Sequence, residues 1–117
     1  MEKYVFALEE LTGSDFLEFA KGNTWDGKKF YAKDSLYVSD DAFFFFLENM
    51  FRTIVPAFDM FEHTRVTREE WQKIRKLRLS RFVDPKDRND AEIALTAIDR
   101  WVQETIGANE DFVVIGV

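Results

Sequence analysis

The chain has 117 residues with 16 Lys plus Arg, 22 Asp plus Glu and one His, a formal charge of −6, and 46% apolar side chains. That suits one domain with a single core and is short for two, and the absence of cysteine excludes disulfide scaffolds, thiol nucleophiles and thiolate metal centres. The longest uncharged stretches run to six residues, as at 112–117, so no segment approaches the roughly 20 apolar residues of a membrane-spanning helix.

Met1-Glu2-Lys3, followed soon by Glu9 and Glu10, lacks the basic start and apolar stretch of a secretory signal, so a cytoplasmic protein is expected. The acidic balance disfavours nucleic acid, whose binding depends on clustered Lys and Arg, and favours a cationic partner.

Tyr4 to Leu8, rich in aromatic and β-branched residues, predicts a strand suited to a sheet edge, with a short helix through Leu8 and Leu11 as the alternative. Gly13-Ser14-Asp15 breaks the chain and offers a cap. Phe16, Leu17 and Ala20 then recur at helical spacing up to Lys21-Gly22, which predicts a short helix. The Asp26-Gly27 turn signal, with Phe30-Tyr31-Ala32 and Leu36-Tyr37-Val38 after it, predicts short strands in a hairpin or meander. Ser39 is a cap for a helix from Ala42 to about Ile54, with Asp40 and Asp41 at the positive end of its dipole and Pro56 ending it. Residues 57–66 predict a strand or extended loop.

Thr67-Arg68-Glu69-Glu70 has the spacing of a capping box, which starts a helix running from about Arg68 to Phe82. Ala91, Ala94, Leu95, Ile98, Trp101, Val102 and Ile106 form one stripe of a further helix closed by Gly107. The unbroken apolar run Phe112 to Val117 predicts a buried strand inside the sheet. The sum is an α+β domain spanning 1–117, with three to four helices on a mixed or antiparallel sheet that includes both terminal strands.

Several features invite a functional reading. In Phe43-Phe44-Phe45-Phe46, steps of 100° along a helix cannot turn all four rings inward. Either the helix is buried on two sides, or part of the run is an interface for a partner or for a second copy in a homodimer. Charge is also uneven: residues 1–62 carry −6, 63–83 carry +5 and 84–117 carry −5. Projected on the stripe of Trp71, Ile74, Leu77 and Phe82, Arg78 and Arg81 fall inside it. They are expected to be partly buried against carboxylates, or else to form a pocket for a carboxylate or phosphate.

His63 with Asp59 and Glu62 could form an acid–base pair, but no nucleophile, metal-ligand spacing or phosphate-binding loop accompanies it. No catalytic residue, metal or cofactor is expected. Asp26, Asp34, Asp40 and Asp41 lie in turns or at a helix start, where carboxylates can face a cationic partner without full desolvation.

The ending, a helix with Trp101 closed by Gly107 and followed by Asp111-Phe112-Val113-Val114-Ile115-Gly116, resembles those of immunity proteins of bacterial toxin systems, including contact-dependent growth inhibition. The resemblance implies a non-enzymatic cytoplasmic protein that binds and neutralises a cognate toxin domain, often a basic nuclease. On that reading Asp26, Asp34, Asp40 and Asp41 steer the partner, and Trp25, Tyr37 and Phe44 anchor it. The competing reading is a regulatory domain that holds a small molecule or peptide in an arginine and aromatic pocket at Arg78 and Arg81.

Overall fold

The computed structural model describes residues 4–11, 15–22, 33–108 and 110–116. Five strands form one antiparallel sheet: β1 (Val5–Phe6), β2 (Phe16–Lys21), β3 (Leu36–Ser39), β4 (His63–Thr67) and β5 (Asp111–Ile115), in the order β1-β3-β2-β5-β4. The fold is α+β. As expected, the N-terminal strand lies at an edge and the C-terminal strand lies inside, between β2 and β4.

The segment expected to be a short helix, 16–20, is instead the central strand β2. Phe16, Leu17, Glu18, Phe19 and Ala20 are all buried, and a strand covered on both faces loses the alternation that would identify it. Glu18 made the segment look one-sided. Its side chain is fully buried and accepts the Tyr37 hydroxyl at 3.4 Å. The strand 30–32 of the expected hairpin lies outside the described residues, whereas 36–38 falls in β3.

Leu17, Phe19, Val38, Val66, Phe112 and Val114 face the helices and share one core with them. Phe19 is its hub, with ring centroids 5.6–6.2 Å from those of Phe43, Phe51, Trp101 and Phe112. Trp71 and Trp101 bury their rings and keep their indole N–H groups satisfied, donating to Asp99 at 3.0 Å and to the Asp34 carbonyl at 2.7 Å. On the other face Ala20, Val113 and Ile115 form a second cluster.

The first helical run starts as α1 (Asp40–Ala42), widens into a π-helical segment (Phe43–Leu47) and continues as α2 (Glu48–Ile54). Ser39 caps it by accepting the Asp41 amide at 3.2 Å. The Thr67 capping box is complete: its hydroxyl accepts the Glu70 amide at 3.0 Å and the Glu70 carboxylate accepts the Thr67 amide at 2.9 Å.

That cap opens α3 (Arg68–Arg75), which ends seven residues before Phe82. The last turn tightens as Leu77 bonds back to Ile74, and Arg78 is extended. Cations crowded at 73–78 sit well at a helix C-terminus, where the dipole is negative. The final helix, α4, is Arg88–Thr105. No helix among the described residues is long and apolar enough to cross a membrane.

Candidate functional site

The strand register brings separate parts of the chain to one end of the sheet. Phe16 pairs with Ser39 and His63 with Ile115, so β2 and β4 begin where β3 and β5 finish. Asp15 precedes β2, Asp40 and Asp41 follow β3, and Asp59, Phe61 and Glu62 precede β4. The helical run with Phe44 and Phe45 starts from the same end. One backbone bond, Asp40 amide to Asp15 carbonyl at 3.2 Å, ties two of these segments together.

The four consecutive phenylalanines divide evenly. Phe43 and Phe46 are buried, while Phe44 and Phe45 are 75% and 55% exposed, their rings edge to face at 5.3 Å. The partner or homodimer reading of the run therefore narrows to these two rings. They occupy the π-helical segment, where the Glu48 amide bonds five residues back to the Phe43 carbonyl. Such wide turns are rare inside helices and recur at functional sites.

Phe61 stands out from the loop opposite, 68% exposed. Its amide donates to the Asp59 carboxylate at 2.9 Å, and the Glu62 amide bonds back to the Asp59 carbonyl at 3.2 Å. This turn buries Phe58 and Met60 while turning Phe61 outward. Gly116 lets the turn close on β5: its amide donates to the Glu62 carbonyl at 2.6 Å. A Cβ there would meet the Glu62 and Met60 carbonyl oxygens at 2.3 and 2.6 Å.

Between the helical run and this loop lies a groove of about 310 Å³ lined by Phe43 to Phe46, Glu48, Asn49, Met60, Phe61 and Phe82. Glu48, beyond Phe45, is paired with Arg52 at 3.3 Å, and Asp59 and Glu62 lie either side of Phe61 in the loop. Asp40 and Asp41 stand at the start of the run. Burial, then repulsion from Asp41 and Asp15, raises the Asp40 pKa above its ordinary 3.8. The folded chain thus holds like charges together that a cation would relieve.

No family model, curated protein or solved structure matches the chain.

The expected steering acids are only partly brought together. Asp40 and Asp41 adjoin the groove. Asp34 lies at the opposite end of β3, about 20 Å away at strand rise, and pairs with Lys21 at 3.3 Å. Trp25 and Asp26 lie outside the described residues. Phe44 is placed as an anchor would be. Tyr37 is not: it is fully buried beside Phe16 and Glu18, because its position on β3 points it to a face that is covered.

Arg78 and Arg81, expected to be partly buried, are both exposed. The helical projection that placed them ends with α3 at Arg75, and neither lines the groove. The rest of the basic stretch is largely neutralised within the chain: Arg75 meets Glu92 at 2.6 Å, Arg65 meets Asp111 at 3.3 Å and Lys73 meets Glu69 at 3.7 Å.

Phe61 and Asp15 belong to the site although sequence reasoning did not select them, and Phe45 was singled out only within the Phe43–Phe46 run. Phe45 was legible as the position 200° from the buried Phe43 on a helix. Phe61 could be found only as an aromatic outside any periodic pattern. Asp15 had no signal, since its neighbourhood depends on strand register.

A second concavity of about 440 Å³ lies at the far end of the sheet, lined by Gly22, Thr67, Arg68, Glu69, Glu110 and Asp111 among others. There the Arg68 guanidinium donates to the Ile106 carbonyl at 3.1 Å and to Gln103, tying α3 to the end of α4.

Proposed function

We propose that this chain is a non-catalytic protein-binding domain whose aromatic and acidic end captures a basic polypeptide. The observation that carries this reading is the meeting, at one end of the sheet, of exposed Phe44, Phe45 and Phe61 with Asp15, Asp40, Asp41, Asp59 and Glu62. Exposed phenylalanines are unfavourable in water unless covered. A field of carboxylates raises the encounter rate of a cationic partner, while buried aromatic contacts set its residence time.

The class of partner follows from the resemblance of the chain's ending to immunity proteins: a basic, nuclease-like toxin domain, neutralised in the cytoplasm by having its active surface or a neighbouring one covered. Neither nucleic acid nor a membrane is a partner on this reading. The alternative anion pocket at Arg78 and Arg81 gains no support from two exposed guanidinium groups.

The test is purification of the tagged chain from its native cells, identification of co-eluting polypeptide, and binding and activity assays with that polypeptide in pure form. The proposal expects a basic polypeptide whose toxicity or nuclease activity is suppressed at an equimolar ratio. It also expects affinity to fall steeply with salt. A co-eluting polypeptide that is acidic, or whose binding ignores salt, contradicts it.

A further inference from the structure

The three exposed rings present about 400 Å² of apolar surface, taking roughly 200 Å² for a whole aromatic side chain, against the roughly 800 Å² that each partner contributes to a standard protein interface. The surface is also a groove, with room for one or two large side chains, not a plane. Both features favour one inserted element over a broad face. The formal charge of −6 opposes a second copy of the chain as occupant.

Charge specifies the element further. An apolar groove whose Phe61 side carries Asp59 and Glu62, while Glu48 on the other side is already paired with Arg52, complements an apolar stripe bordered on one side by cations, which is the pattern of a basic amphipathic helix.

We infer that the groove between Phe45 and Phe61 takes a single basic amphipathic helix of the partner, its apolar stripe on the rings and its Lys or Arg side chains on Asp59 and Glu62. This deepens the proposed function and rests on it. It narrows recognition to a segment short enough to be tested alone.

The experiment titrates the whole chain against labelled synthetic peptides long enough for about five helical turns, followed by fluorescence anisotropy. One peptide carries a Leu stripe bordered by Lys and Arg, one has the same residues scrambled, and one has the cations replaced by Glu. The basic amphipathic peptide should bind, more weakly in high salt, and Phe45→Ala and Phe61→Ala should each weaken it at least tenfold while leaving Tm unchanged, since both rings are exposed. Equal binding of the scrambled peptide, binding of the acidic one, or no binding at all overturns the inference.

Self-association of the free chain abolished by Phe45→Ala would also overturn it, by assigning the groove to a second copy. If the captured polypeptide is sensitive to charge reversal at Asp40 and Asp41 but indifferent to Phe45→Ala and Phe61→Ala, the helix assignment fails while the proposed function stands.

Discussion

Replacing Asp40 with Asn removes a charge that folding places against burial and against Asp41 and Asp15. A carboxyl whose pKa is raised on folding favours the native state when protonated and loses that contribution as pH rises through its folded value. Asp40→Asn should therefore have a higher Tm than the parent at pH 7, the two converging as pH falls below the ordinary 3.8, in paired thermal melts. The same variant should bind a basic partner less well, a trade of function against stability that is common where charges are held ready for a ligand. Gly116→Ala tests the loop: two carbonyl oxygens must move, and overpacking of this kind costs about 1–3 kcal/mol. Chemical denaturation should register that loss, with partner binding weakened as Phe61 shifts.

At the scale of elements, the best-determined boundary is a local one. The Thr67 capping box needs only four residues of sequence, and Thr67→Ala should cost about 1 kcal/mol in urea unfolding. The stripe of α4 and the apolar run of β5 were equally legible, since a one-sided helix and an uninterrupted apolar strand each leave a clear pattern. β2 was not, because Glu18 interrupts it with a charge that only tertiary structure buries. The end of α3 was also hidden: no Gly or Pro marks it, and a projection carried past Arg75 placed Arg78 and Arg81 on a face that does not exist.

The contact of α3 with α4 has its own pH signature. Hydrogen bonding from Arg75 lowers the Glu92 pKa below its ordinary 4.5, so the pair stabilises the fold above that value and its contribution is lost as pH falls through the lower folded one. Glu92 is half exposed, which limits the effect to less than about 1 kcal/mol. Glu92→Gln should accordingly differ from the parent at pH 7 and match it once pH falls below the lowered folded value.

For the molecule as a whole, the surplus of acid was plain from composition, but its distribution was not. Strand register separates Asp34 from Asp40 and unites Asp40 with Asp15, while ion pairs absorb much of the basic segment. Sequence could therefore propose acids and aromatics as a class of contact, and only the sheet could choose among them. Charge reversal at both Asp40 and Asp41 should slow association of a basic partner by about tenfold or more at low salt, with little change in dissociation, in stopped-flow mixing.

The most direct test is amide hydrogen exchange of the whole chain with and without its co-purified basic polypeptide. The account predicts added protection over 40–48 and 59–63, with 67–70 and 110–111 at the far end of the sheet unchanged. Protection confined to 67–70 and 110–111 would contradict it.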